Sequence, residues 1–416
     1  MYIYFSSVAV AMAIDGADTT FVLISAALVL LMTPALAFFY GGLVRRKNVL
    51  STLMYTFITI GLISIQWVFI GYTLAFDPNS GFIGGLDWLG LKGVGFNPGP
   101  YAPTIPHEAF MIFQMMFAII TPALIIGAFV DRMKFSTFLV FTLVWTTIVY
   151  DPIAHWVWAD GGWLRGLGAL DFAGGIVVHI SSGVSALAAA IVIGKRKGLG
   201  SDPMEPHDIR VMVLGAALLW FGWFGFNAGS ALASGSLATN AFVVTHMAGA
   251  SASLTWTITS WLRTGKPSVV GAATGGIAGL AAVTPASGFI DPMGAIAIGV
   301  GVGIISFLAM GLKTRLGFDD ALDVWACHGI GGTWGVLATG LFAQLAINSA
   351  GANGLLYGNA AQFGVQAVAV AVTWVYSFAV TFVLLKVLDR VMGLRVTDDE
   401  EEIGLDIAQH GERVPT

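Results

Sequence analysis

A single cysteine, Cys327, in 416 residues leaves no partner for an internal disulfide and rules out a cysteine metal cluster. Charge is nearly as scarce: 19 basic and 24 acidic residues make only 10% of the chain, where a soluble protein carries roughly a quarter. So few charges cannot cover the water-facing surface of a soluble chain of this length, and most of the outside must meet lipid. The net charge of −5 is small and dispersed, which excludes nucleic-acid binding. Low-complexity segments are missing too. The 53 Gly and 14 Pro lie inside Leu, Ile, Val and Phe runs, which excludes disorder and collagen and suits membrane helices, where Gly is frequent.

What the chain does have is apolar length. A bilayer core needs about 20 apolar residues of helix. Stretches free of Asp, Glu, Lys and Arg give seven single spans, at 19–44, 48–76, 109–130, 135–150 (extended to about 158 past Asp151), 172–194, 267–290 and 292–312. Two longer stretches, 211–262 and 324–385, have Gly/Ser/Asn-rich centres at 234–240 and 348–359, so each divides into two spans. The expectation is an all-α polytopic membrane protein of eleven transmembrane helices, with its termini on opposite sides.

With the N-terminus outside, 17 of the 19 basic residues fall on one face, leaving Lys92 and Arg165 on the other. The positive-inside rule makes the richer face cytoplasmic, so the topology is N-out, C-in. Residues 1–14 are apolar but too short to span, and lack the basic start of a secretory signal. They are expected to form an extracytoplasmic lead into the first helix, with a cleaved signal as the alternative. Residues 77–107, rich in Gly, Pro and Asn, form the longest outer loop. After Met392 the composition turns acidic, with Asp398, Asp399, Glu400, Glu401 and Glu402 in a row. That shift divides the chain into a membrane domain, 1–392, and a cytoplasmic tail, 393–416.

Ionisable groups at membrane depth are costly and are functional candidates for that reason. His179 follows Asp171 by eight residues in an apolar run, about 12 Å along a helix and so near mid-membrane. His328 lies five residues past Asp323 in a span entered from the cytoplasm, flanked by small residues that let another helix come close. His246 is a third. Each alone reads most simply as a neutral histidine hydrogen-bonded within the bundle. Together, His179 and His328 occupy spans five and ten, so spans 1–5 and 6–10 form two halves of odd helix number. The second half is then an inverted repeat of the first, with a site at the interface. A metal site fails on ligand count, since only Cys327 adjoins the histidines and it points elsewhere on the helix. No cofactor is expected. Aromatics give the other signal. Phe113 and Phe117 are i, i+4 in span three, Phe226 and Ser230 are i, i+4 in span six, and Trp156 and Trp158 end span four. They read either as an interfacial belt, with Trp163 a further member, or as ring faces that attract a small cation.

The segments "FFYGGLVRRKNVLSTLM", "WVFIGYTLAF", "PIAHWVW", "DFAGGIVVHI", "GWFGFNAGSAL", "GAATGGIAGLAAVTPASG", "DDALDVWACHG" and "GLDIAQHGE" resemble the ammonium transporter family, the Amt/Mep/Rh group, in its prokaryotic Amt branch. The resemblance runs from the first span into the tail. It implies a homotrimer with a pore in each subunit, carrying ammonium, with methylammonium as an analogue, across the plasma or inner membrane. It implies a recruitment site at Phe117, Trp158 and Ser230, a gate of Phe117 and Phe226, twin pore histidines at His179 and His328, and supporting roles for Asp171 and Thr284, the latter near the recruitment site. The residues themselves favour a capping role for Asp171, at the start of span five, without substrate contact. The tail resembles one on which a PII-type signalling protein acts, with Gly404 and Asp406 holding it against the cytoplasmic loops; a solvated acidic tail is the plainer reading. The loop after Trp158 departs from the pattern in carrying Arg165 and a further Trp. The function implied is transport rather than enzymatic catalysis: ammonium is captured, deprotonated, and conducted as ammonia through a hydrophobic pore. A sensor of the same fold and a neutral-solute channel are the rival readings.

Overall fold

The computed structural model describes residues 13–78 and 80–414, and all but the last two residues of the expected N-terminal lead lie outside them. Among the described residues there are eleven long helices. They are α1 (Gly16–Leu43), α2 (Val49–Gln66, carried on through Trp67–Gly71 and Tyr72–Phe76), α3 (His107–Phe129) and α4 (Phe135–Trp145, Thr146–Tyr150 and Asp151–Trp158). Then come α5 (Gly175–Ile180 and Ser181–Ile193), α6 (Ile209–Gly229), α7 (Ser236–Thr264) and α8 (Val269–Val283). The series ends with α9 (Pro292–Leu316), α10 (Trp325–Ile330 and Gly331–Phe342) and α11 (Ala360–Met392). Two short helices follow in the tail, α12 (Asp398–Ile403) and α13 (Leu405–His410).

Several helices start where a side chain satisfies their first N–H groups. Asp15 accepts from Asp18 N at 2.9 Å, Ser268 from Gly271 N at 3.0 Å and Asp291 from Gly294 N at 2.8 Å. Both long apolar stretches break in two, as their composition implies. The first turn comes at 230–235, ahead of the expected 234–240, because Leu232 and Gly235 take positive φ and Ser236 already opens α7.

Eight helices are long and apolar enough to cross a membrane by length and composition. Of the other three, α8 has only 15 residues, α10 is rich in Gly and carries Trp325, His328 and Trp334, and α7 carries many Ser and Thr. Several α7 hydroxyls spend their hydrogen on the carbonyl one turn back, as Thr245 does on Ala241 O at 2.6 Å, which makes them tolerable in an apolar setting. Helix α3 is the axis of the bundle, 89% buried over its apolar window, whereas α2 and α11 are 33% buried and turn Phe57, Phe69 and Val375 outward.

One end of the bundle is tied by charge. Arg132, wholly buried between α3 and α4, donates to Gly194 O and Asp319 O, while Arg196 forks onto both Asp319 oxygens at 2.9 Å. Burial raises the Asp319 carboxyl, but the Arg196 hydrogen bonds and the Arg132 charge outweigh it and hold it below its ordinary range. The tail docks on the same end. Lys47 Nζ donates to Glu401 O and Glu402 O, Arg395 and Lys197 N reach the Glu401 carboxylate, and Asp406 Oδ1 accepts from Ser51 N at 2.7 Å. Gly404 has φ 107°, and any Cβ there would press on Lys47.

Candidate functional site

Four helices change from α to π winding for about one turn, and two of these turns, Gly175–Ile180 and Trp325–Ile330, carry the central histidines. Each is preceded by an aspartate eight residues before its histidine. Asp171 Oδ1 accepts from Gly174 N and Gly175 N, and Oδ2 from Ile176 N and Val177 N, at 2.6 to 3.1 Å. All its acceptor positions face the helix start. Asp320 Oδ2 accepts from Trp325 N at 2.7 Å. Helices α5 and α10 cross where Gly183 meets Gly329, and a Cβ on Gly183 would overlap the backbone of His328 and Gly329. This close approach of two backbones brings the imidazoles together.

His179 Nδ1 and His328 Nδ1 are 3.2 Å apart, with ring centroids at 5.1 Å and planes inclined by 24°. Both residues are buried, at 1% and 4% exposure. The proton positions follow from the neighbours. Thr284 Oγ1 spends its hydrogen on Leu280 O at 2.8 Å, so it accepts from Trp223 Nε1 at 3.0 Å and from His179 Nε2 at 3.4 Å. A neutral His179 then carries its proton on Nε2 and offers the Nδ1 lone pair, to which His328 Nδ1–H donates. The His328 Nε2 lone pair is left free. Thr284 therefore sits beside the histidine pair, not in the outer pocket.

Three cavities lie in sequence along this line. The outer one, about 350 Å³, is lined by Phe117, Trp158 and Ser230, with Arg165 at its rim. The Trp158 indole is fixed by its bond to Asp171 O at 2.9 Å and stands at 88° to Phe117. Ser230 donates to Phe226 O at 2.9 Å, which leaves its oxygen lone pairs for a ligand. Phe117 and Phe226, 4.3 Å apart between centroids, close the floor. Below them is a narrow space of about 20 Å³ walled by Phe226, Trp223, His179 and His328 among apolar side chains. His328 also borders the innermost cavity, about 160 Å³, together with Tyr40, Cys327 and Asp323.

Of the other residues singled out by sequence, His246 is exposed on α7 and away from the line. Trp156 is buried, donating to Phe82 O at 2.7 Å, rather than facing outward in a belt. Among the described residues no group of three or more His, Cys, Asp and Glu could hold a metal ion. Sequence reasoning missed Trp223, which stacks at 5.5 Å on His179, and Asp320. The repeated spacing Asp-x7-His was the available signal for Asp320.

A helical bundle with apolar outer faces, enclosing a file of cavities interrupted by ring pairs, is the framework of a membrane channel or transporter for small solutes. Residues 20–414 match the model of the Ammonium Transporter Family. The chain is 54% identical to an ammonium transporter of Bacillus subtilis over 95% of its own length and 98% of that protein. It is 48% identical to the ammonium transporter Amt1 of Archaeoglobus fulgidus, over 96% and 98%. The crystal structure of Saccharomyces cerevisiae Mep2 superposes with a TM-score of 0.87 at 36% identity, covering 93% of this chain and 88% of that one. A structure described as a sensor Amt protein gives 0.85 at 30% identity, over 95% and 98%. The chain belongs to the Ammonium Transporter Family and is a multi-pass membrane protein.

Proposed function

We propose that this protein transports ammonium: NH4+ is captured in the outer cavity, gives up a proton to water there, and passes inward as ammonia between Phe117 and Phe226 and along His179 and His328. The observation that carries this reading is the imidazole pair, buried and mutually bonded, in a space of about 20 Å³ between two larger cavities. Such a space admits one water-sized molecule at a time, given that a single water needs roughly 10–15 Å³. It has no room for a hydrated ion or a polyol.

Magnitudes decide the form in which the substrate crosses. Ring faces return about 0.5–2 kcal/mol each and a hydrogen bond to a charged group about 1.5–3, whereas removing an ion from water costs several kcal/mol even after relaxation. The outer cavity, with two ring faces and the Ser230 oxygen, is suited to hold a cation. The apolar space below it is suited to a neutral molecule. The bonded imidazoles leave the His328 Nε2 lone pair as an acceptor for ammonia, and the bond between them is a path along which a proton can be handed.

Several finer features belong to the same reading. Eleven helices cross the membrane, N-out and C-in, with basic loops and the tail sharing the cytoplasmic end. Spans 1–5 and 6–10 form an inverted repeat, supported by the two Asp-x7-His segments in π-wound turns. Three copies assemble, and residues 393–416 act as a regulatory tail open to a PII-type partner at the plasma or inner membrane. The likeness to a sensor Amt protein is what speaks for the sensor reading. The test is current recorded on a supported membrane after an ammonium jump, alongside methylammonium competition in proteoliposomes. Inward current or uptake inhibited by methylammonium is expected. Permeability to water or glycerol with no response to ammonium would favour a neutral-solute channel.

A further inference from the structure

A positive side chain at the rim of a cavity suited to a cation needs a reason, and Arg165 is the one basic residue among those lining the outer cavity. The backbone explains how it arrives there. Helix α4 ends at Trp158, and the turn after it reverses through Gly161, with φ 86°, and Gly162, where a Cβ would overlap the carbonyls of His155 and Trp156. A short helix, Trp163–Leu167, therefore lies back across the end of α4, with Leu164 wholly buried beneath it. Arg165 is thereby delivered to the Trp158 carbonyl, to which one of its terminal nitrogens donates. That carbonyl belongs to the last turn of a helix, whose acceptors have no partner within the helix. The other terminal nitrogen meets Asp160 Oδ1 at 2.9 Å, and Asp160 N donates at 3.3 Å to the hydroxyl of Tyr101, another residue of the cavity wall.

We propose that Arg165 is a positioning residue of the outer site: anchored by Asp160, it holds the backbone of Trp158 so that the indole keeps its ring face toward a captured cation. The inference rests on the capture step of the transport reading above. Trp158 is then gripped at two points, by Arg165 at its carbonyl and by Asp171 O at its indole nitrogen, 2.9 Å away. The indole bond alone leaves the ring a hinge. The second grip removes it. Pairing with Asp160 also cancels the guanidinium charge at short range, so an approaching cation meets a nearly neutral pair. At 49% and 44% exposure the pair contributes little to folding, and a loss of capture in its variants cannot be put down to a loss of stability.

A plain electrostatic role makes the opposite prediction. If Arg165 acted only as a positive charge at the mouth, its removal would tighten binding of a cation, whereas removal of a positioning residue weakens it. The two roles also differ in their dependence on Trp158. A charge acts on the cation whatever residue stands at 158, but a positioning residue acts only through the ring that it positions.

The experiment measures the concentration dependence of labelled methylammonium uptake in proteoliposomes of the full chain, for Arg165→Ala, Arg165→Lys and Asp160→Ala, each with Trp158 present and in a Trp158→Leu background. With Trp158 present, Arg165→Ala should raise the half-saturating concentration roughly fivefold, the weight of one net hydrogen bond, while the maximal rate stays within about twofold. Arg165→Lys, which keeps a donor, should recover most of that loss, and Asp160→Ala should move the value the same way as Arg165→Ala. In the Trp158→Leu background none of the three should shift it further, since coupled residues do not add. A lower half-saturating concentration in Arg165→Ala, a fall in maximal rate alone, or shifts of equal size in both backgrounds would overturn the proposal. If Arg165→Ala fails to assemble, Asp160→Ala in the two backgrounds decides, because a charge effect persists without the indole and a positioning effect does not. Wild-type half-saturation in Trp158→Leu by itself would instead remove the capture reading, and the inference with it.

Discussion

Replacing Asp171 is the perturbation whose magnitude can be worked most directly from the structure. Its carboxylate accepts four backbone N–H bonds, from Gly174, Gly175, Ile176 and Val177, and the residue is only 7% exposed. Asp171→Ala strands those four donors. A buried donor left unpaired costs about 1–3 kcal/mol, so the total is roughly 4–12 kcal/mol, on the scale of a domain's entire unfolding free energy of about 5–15. Asp171→Asn keeps one acceptor oxygen and turns an amide NH2 toward the other two N–H groups, so about half of that loss remains. The π-wound turn that begins at Gly175 loses its anchor in both cases, and His179 lies within it. The assay is thermal unfolding of purified protein in detergent, read against methylammonium uptake at matched expression. Asp171→Ala should yield little assembled protein, and Asp171→Asn should assemble with a melting temperature well below wild type. An Asp171→Ala variant that melted like wild type yet had lost substrate binding would refute the capping argument and make the carboxylate a substrate ligand.

Trp158→Leu and Phe117→Ala each remove a ring face from the outer cavity, and each should raise the methylammonium concentration for half-maximal uptake several-fold without loss of folding. Wild-type concentration dependence in both would return these rings to a purely structural role. His328→Ala leaves His179 Nδ1 unpaired at about 1–3 kcal/mol, which the bundle should survive, while His179→Asp puts a carboxylate in the lumen. Either should abolish ammonium-driven current or admit potassium, and normal current with normal discrimination would reduce the pair to a structural bond. Deleting 397–416 removes the Glu401 and Asp406 contacts with Lys197 and Ser51 at that end of the bundle and should impair uptake, whereas unchanged uptake at equal expression would leave the tail a solvated appendage.

The features legible in the sequence were those governed by one-dimensional rules. Apolar runs gave the helices because lipid-facing and core-facing positions are both apolar, and Gly- and Ser-rich centres gave the breaks within the two long runs. His179 and His328 stood out because ionisable groups are rare in such runs. Less legible was anything set by two segments meeting. Nothing local shows that Gly183 lies on Gly329, yet that contact is what turns two separate histidines into a bonded pair. Thr284 was expected near the recruitment site, but α8 delivers it to His179 and Trp223, and its single hydroxyl hydrogen then fixes which imidazole nitrogen bears the proton. Asp320 was in plain sight, eight residues before His328 as Asp171 is eight before His179, but a cap is recognised only by the N–H groups it receives. Asp171 receives four and Asp320 Oδ2 receives that of Trp325, at the start of the two turns that present the imidazoles. The two aspartates thus set the direction from which each histidine enters the lumen; His328 Nε2 faces away from the pair because Nδ1 faces His179, and it bears a lone pair because Thr284, two helices away, orders the protons.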